Sequence, residues 1–358
     1  MLHPLRRAGI RGTKMASGDG MVRHCHPILA AHVSDYLEQL LSTGVKSGEC
    51  PTCPVRRDEL GDPNAVYEPR NLAAVLEALA TVDGDPRIFT QACRDAGIKP
   101  IFKPFWERLP YCHIFCSITP DILHQLLQGF IKHLKAWLLE IYGTAEIDAR
   151  FRCIPPNHNV RIFSSGISGL SRLTGTEHDQ ISQLLLGIII DMRLPNNRSP
   201  SKLYCAVRGA LDFLYLAQYP MQTSDTLDRL DAALELFHEN KDIFIDLGVR
   251  AHFNIPKFHN IHHYRYYIER YGTTDNFNTE YTERLHIDLA KDAYRATNFK
   301  DVYPQMSCWL EHQEKIVHHT NFIKWRLGQL DQPNQIPRPP AIPQIAPPRT
   351  LKMTKNPS

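Results

Sequence analysis

Tyr111-Cys-His-Ile-Phe-Cys-Ser-Ile-Thr-Pro-Asp-Ile-Leu-His-Gln-Leu-Leu127 is the stretch on which the fold turns. Residues 111–118 are rich in aromatic and β-branched side chains and end at Thr119-Pro120, so they predict a short strand. A long amphipathic helix is expected at once, with Thr119 as N-cap and Pro120 at its first position. Its apolar stripe runs Leu123, Leu126, Leu127, Phe130, Leu134, Trp137, Leu138 and Ile141, and Gly143 ends it. Asp121 then sits at the mouth of a strand, and His124, three residues on, shares its side of the helix. A carboxylate so placed can bind a hard divalent cation through oxygen. The neighbouring imidazole can orient that carboxylate or reach a phosphate. The plainer alternative is a favourable helix-dipole contact for Asp121 and a surface role for His124.

Working outward, residues 1–23 read as an unstructured leader. Residues 24 to about 41 carry a helical pattern through Ile28, Leu29, His32, Val33, Tyr36 and Leu40. A turn bounded by Gly44 and Gly48 leads into Cys50-Pro-Thr-Cys53. Helices are expected over 71–81 and 86–96. Beyond Gly143 helical patterns dominate, at about 176–193, 201–217, 224–240, 260–271, 280–296 and 302–327. The Pro-rich tail, 329–358, has few core-building residues and is expected to be disordered or polyproline II.

The chain has 358 residues, 43% hydrophobic and 22% charged, which suits a soluble globular protein with a sizeable core. Its net charge of +3 does not by itself announce a nucleic-acid binder, so any DNA surface must come from local clustering. Nine cysteines over this length are no disulfide scaffold, and no signal peptide is seen, which favours reduced thiols in the cytosol or nucleus. The most apolar run, residues 184–191, is too short to span a bilayer. No Gly-rich phosphate loop or serine-hydrolase elbow is present.

A second acidic motif opens a helix at Thr279-Glu-Tyr-Thr-Glu-Arg-Leu-His-Ile-Asp288. Glu280 and Glu283 can share a face, as can Glu283 and His286. With Asp121, such a set suits a two-metal nuclease centre, whereas alone it reads as a charged first turn. Cys50 and Cys53 have the spacing of half a zinc site. Their partners are left open between His24, Cys25 and His26, and Cys112, His113 and Cys116. Three further histidines, His259, His262 and His263, lie among Tyr264, Tyr266 and Tyr267 and suggest either a metal cluster or a packed aromatic surface. The basic stretch from Lys257 through Arg265 to Arg270 suits phosphate contact, with a solvated helix face as the alternative.

Several stretches taken together resemble Plavaka-type transposases, a family of the CACTA-like superfamily in fungal genomes. They are residues 50–53, 118–126, 170–178, 211–220, 246–250, 272–276, 282–288 and 291–297, spread in order over roughly 20–325. The resemblance implies an RNase H-like core with three acidic ligands for Mg²⁺ or Mn²⁺ and DNA strand cleavage and transfer at transposon ends. It matches the second acid to Asp121, with His124 in its Asp-x-x-His motif, and the last acid to Glu283, with Glu280 as alternative. The first acid should stand well before Cys50, on a strand that this sequence lacks. Asp35 is a possible substitute, and a 5′-truncated, catalytically incomplete copy is expected. The fold expected is therefore α+β and mainly helical, a partial RNase H-like core interrupted by a large helical insertion. Its regions are a leader (1–23), a partial RNase H-like region with the CxxC (24–124), the insertion (125–275), C-terminal helices with the last acid (276–328) and the tail (329–358). DNA is the expected partner, with a homo-oligomer possible and no membrane. Localisation is expected to be nuclear, or else cytoplasmic. A DNA-binding or interaction protein without catalysis, from the same element, is the alternative function.

Overall fold

A computed structural model of the chain describes residues 2–65, 68–171 and 173–330. The tail beyond them, where a disordered or polyproline II segment is expected, lies outside the described residues. The chain divides into two units, Met1–Thr282 and Glu283–Ser358. As expected, it is mainly helical.

The first unit opens with α1 (His3–Arg11) and an antiparallel hairpin, β1 (Thr13–Ala16) and β2 (Val22–Cys25), which pairs Thr13 with Cys25 and Ala16 with Val22. The expected unstructured leader is thus a helix and hairpin. Leu2 and Leu5 give α1 an apolar side that packs on a core cluster. Gly12 at φ +72 closes the turn so tightly that a Cβ there would stand 1.9 Å from His24 Nε2. The helical pattern over 24–41 resolves into β2, an extended run after Pro27, and a shorter α2 (Tyr36–Thr43). Asp35 caps α2, accepting the Glu38 N–H at 2.8 Å, which fixes the helix start at Tyr36 rather than at residue 24, where periodicity alone puts it.

Helices α3 (Leu72–Ala80) and α4 (Pro86–Asp95) form where expected, capped by Asn71 and Asp85. With Leu40, Val45, Trp106, Ile114, Phe115 and Ile118 they build one core cluster. The strand expected over 111–118 is instead one helical turn, α5 (Ile114–Ser117). Tyr111 takes φ +58, and His113 caps the turn by accepting the Cys116 N–H. These local bonds compete with a sheet ladder and win. Among the described residues parallel pairing is limited to a single bridge, His32 to Ile118, just before Asp121. Among the described residues the hairpin is the sole sheet, so no sheet carries Asp121.

A π-helical segment, Ile122–Ile131, runs into α6 (Lys132–Tyr142), ended by Gly143. Its N-cap is Asp121 rather than Thr119, because the Asp121 carboxylate accepts the His124 N–H while Thr119 and Pro120 stay outside. Next come α7 (Thr144–Arg152), α8 (Gly175–Ile189), α9 (Ser201–Ala217), α10 (Ser224–Asn240), α11 (Ile243–Asp246), α12 (Pro256–His259) and α13 (Tyr264–Tyr271). They bury the largest core cluster, centred on Phe130, Trp137, Phe237, Phe244, Phe253 and Phe258. Phe130 meets Phe237 and Phe258 edge-on at 5.0 and 4.8 Å between ring centres.

Helices α9 and α10 pack tightly at Gly209, where a Cβ would lie 2.6 Å from the Phe237 amide nitrogen. Backbone cannot retreat as a flexible side chain can. Gly209→Ala should therefore destabilise the fold by about 1–3 kcal/mol through overpacking, against the ~1 kcal/mol gain in helix propensity usual for this change. Thermal melting checks this; an unchanged or raised Tm would show that the pair can separate freely.

Helix α14 (Glu280–His286) straddles the boundary between units. In the second unit, α15 (Asp292–Arg295) precedes the long α16 (Val302–Leu330), which exposes Ile316, Phe322 and Trp325. No described helix is long and apolar enough to cross a membrane.

Candidate functional site

Cys50, Cys53, His259 and His263 converge although more than two hundred residues separate the pairs. Their ligand atoms all lie within 4.8 Å of one another, with Cys50 Sγ 3.4 Å from His263 Nε2 and Cys53 Sγ 3.1 Å from His259 Nε2. Tetrahedral zinc with Zn–S near 2.3 Å and Zn–N near 2.0–2.1 Å requires S···N separations of roughly 3.5 Å. The four donors fit that size, and the cluster could bind a metal.

Each pair is presented by a local device. Cys50 and Cys53 flank a tight turn, and Tyr36 braces the segment before it by donating to Glu49 O and accepting the Gly48 N–H. The Arg70 guanidinium, 5% exposed, donates to Cys50 O from two nitrogens, to Gly97 O and to the Glu49 carboxylate. His259 and His263 lie four residues apart where α12 runs by a 3-10 turn into α13, so both imidazoles face the same way. Burial pushes the Cys50 thiol up, but its bonds to Cys53 and the two histidines outweigh this and hold it well below the usual thiol range. The Cys50 thiolate and then burial push the Cys53 thiol up.

Neither partner set expected for Cys50 and Cys53 is used. His24 and His26 instead latch the N-terminal hairpin, with His24 Nε2 3.0 Å from Arg11 O and His26 Nδ1 3.0 Å from Gly9 O. Cys112 and His113 belong to the second core and its helical turn. The missed signal was the His-x-x-x-His spacing of 259 and 263, which completes Cys-x-x-Cys to a common zinc pattern. His262, between them, stacks on His238 at 4.8 Å.

Asp121 is 2% exposed. Its Oδ1 accepts the Thr279 N–H at 2.9 Å. Its Oδ2 accepts the His124 N–H at 2.7 Å and the Thr279 hydroxyl at 2.8 Å, and lies 2.8 Å from His124 Nδ1. Burial raises this carboxyl, but bonds from His124 and Thr279 outweigh it and hold it below the usual carboxylate range. Tyr264 donates to Asp121 O at 3.0 Å, and Lys257 to His124 O at 2.8 Å. The segment 121–124 is therefore fastened to residue 279 and to the histidine-bearing helices.

Glu280 lies nearby. A Cβ on Gly175 would meet both its Oε1, at 2.5 Å, and Leu123 Cδ1, which sets its carboxylate against the N-terminus of α8. Glu283 opens the second unit. Asp35 is half-buried and spends its carboxylate on capping α2.

The basic residues chosen from sequence have internal work. Lys257 is half-buried, its amine pushed down by burial and by Lys132 against the pull of Asp35 and Asp121. Arg265 donates to Asp228, Asp231 and Glu269. Arg270 lies 5.8 Å from the rings of Tyr266 and Tyr271 and donates to the Tyr266 hydroxyl.

Comparison with known proteins accords with the resemblance. Residues 1–138 match the family model described as Plavaka transposase, a span that takes in α1, the hairpin, the CxxC and the Asp-x-x-His motif. The match is consistent with a Plavaka-type transposase and supports a transposase-derived protein. No curated protein matches the chain.

Proposed function

We propose, starting from a chain whose residues 1–138 match Plavaka transposase, that this is a transposase-derived DNA-binding protein of the nucleus with a structural zinc centre and no working cleavage site. The zinc ligands are Cys50, Cys53, His259 and His263. Four protein donors close a tetrahedral site and leave no position for substrate, which is the mark of a structural zinc. Bound there, the ion neutralises two thiolates and ties the loop at 50–53 to α12 and α13.

The observation that carries the loss of cleavage is how Asp121 is engaged. Of the about four lone-pair positions of a carboxylate, both on Oδ2 are taken by three crowded contacts from His124 and Thr279, and one on Oδ1 by the Thr279 N–H. The gap beside it, lined by Ser34, Tyr36, Gln39, Gln125 and Asn260, holds about 10 Å³, roughly one water. Mg²⁺ usually keeps several waters, so Asp121 as held does not fit a magnesium site. The carboxylate serves instead as helix cap and lock. The RNase H-like origin of this region is part of the proposal, supported by the parallel bridge from His32 to Ile118 immediately before Asp121.

A second reading keeps the metal-dependent nuclease, with Asp121, His124, Glu283 or Glu280, and Asp35 as substitute first acid. The bond from Thr279 to Asp121 favours it, since it sets the residue before Glu280 against the Asp-x-x-His motif. Incubation of the full chain with supercoiled plasmid in Mg²⁺ or Mn²⁺ separates the two. We expect duplex binding by fluorescence anisotropy and no nicking above the level of Asp121→Asn. Metal-dependent nicking that disappears in Asp121→Asn and Glu283→Gln, in folded proteins, would overturn the proposal.

A further inference from the structure

The face of α1 that turns from the core bears His3, Arg6, Arg7, Ile10 and Arg11. At 100° per residue these fall within one arc of roughly 140°. Leu2, Leu5, Ala8 and Gly9 fill the opposite arc, and a Cβ on Gly9 would touch Pro110 and the Pro27 carbonyl. The helix is thus seated by its apolar side, with its charges outward. No acid occurs before Asp19, and that acid pairs with Arg23. Arg6, Arg7, Arg11 and Lys14 are exposed and make no ion pair among the described residues. The imidazoles of His24 and His26, bonded to the last carbonyls of α1, hold Lys14 beside the helix.

We infer that α1 and β1 form the surface that takes the phosphate backbone of duplex DNA, through Arg6, Arg7, Arg11 and Lys14. The inference rests on the DNA-binding reading above and relocates its contacts from Lys257, Arg265 and Arg270. Arg265, already paired with three carboxylates, gains little from a phosphate, and Lys257 is half-buried on the His124 carbonyl, whereas an unpaired guanidinium can donate two parallel bonds to one. The arginines repeat along one face over about one and a half turns, roughly 7.5 Å, enough for adjacent phosphates of one strand. An anionic membrane fits less well, because amphipathic helices bind lipid by burying an apolar face, and that of α1 is already packed on the protein.

The test is anisotropy of the full chain on a random-sequence duplex across a salt series. Arg6→Gln/Arg7→Gln/Arg11→Gln is compared with a charge-matched control, Arg94→Gln/Arg193→Gln/Lys202→Gln, all exposed positions. Each phosphate contact contributes about 0.9 to the slope of log affinity on log salt, so the α1 variant should flatten it by roughly 2.7 and bind at least tenfold more weakly at low salt. The control should do neither, and circular dichroism should show both variants folded. Equal losses in the two variants, or none in the α1 variant, would overturn the inference. So would an α1 variant that loses binding to phosphatidylserine vesicles while keeping DNA. A wild-type chain that binds no DNA would overturn the functional reading itself, whatever α1 does.

Discussion

Cys50→Ser is expected to remove one equivalent of zinc from the chain and to cost the first unit on the order of 5 kcal/mol. At 2–4 °C per kcal/mol for large domains, that is a fall in Tm of roughly 10 °C or more. The size follows from what surrounds the centre. Its own apolar cluster is only Cys50, Cys53, Val55, Leu60 and Ala65, too few to order a loop of that length. The rest of its attachment is polar: the Gly61 N–H donates to Asn254, and the Lys241 ammonium donates to Gly61 O. Without the ion, two buried thiols and the buried His259 remain beside the half-buried His263, and His259 Nδ1 has no partner among the described residues. His263→Ala should behave like Cys50→Ser. A chelator should bring the wild type down to the Tm of Cys50→Ser and leave that variant unmoved. Metal analysis of protein expressed in zinc-supplemented medium, read beside the melting curves, decides the matter. Wild type without metal, melting with Cys50→Ser, would end the zinc assignment. Arg70→Gln tests the cradle separately, since its backbone bonds to Cys50 and Gly97 need a guanidinium fork that glutamine lacks.

Legibility in the sequence followed the range of the forces involved. Helices with a sustained apolar stripe were readable: α9 and the Thr223-capped α10 coincide with the expected spans, and Gly143 ends α6 as foreseen. These depend on residues within a turn or two of one another. The errors fell where a local polar bond displaced a longer pattern. Asp121 took the cap assigned to Thr119, Asp35 cut short the helix expected from residue 24, and His113 folded the expected strand into a turn. The metal cluster failed for the opposite reason. Both halves carried a recognisable spacing, but joining Cys50 and Cys53 to His259 and His263 requires the intervening helices to bring the two segments together. The acidic lock is similar: sequence pointed to Asp121, His124 and the 279–283 segment as partners, yet gave no sign that Thr279 would engage the carboxylate first.

Asp121→Ala is expected to destabilise the first unit by about 3–5 kcal/mol, the range for removing one partner of a buried charge-bearing network. The deletion strands four donors at once: two backbone N–H groups, at His124 and Thr279, one hydroxyl and one imidazole. It also uncaps the long helix that begins at Ile122 and carries Leu126, Phe130, Leu134 and Trp137 into the main core. Asp121→Asn should recover only part of the loss. An amide oxygen can take some of these bonds, but the amide nitrogen would face an N–H or O–H donor. The pH dependence has a definite sign. Since Asp121 is held below its unfolded value, its contribution is complete above an unfolded pKa near 3.9 and disappears as pH falls through the lower folded value. The Tm gap between wild type and Asp121→Asn should therefore be constant from neutral pH down to about 4 and close below that. A catalytic ligand would behave otherwise. Metal-binding carboxylates repel each other in the apo state, so removing one often stabilises the protein while abolishing activity, the trade between function and stability known for active sites. A raised Tm in Asp121→Asn, together with lost nicking, would identify Asp121 as a metal ligand. A lowered Tm that converges on wild type only in acid identifies the lock that joins residue 121 to residue 279.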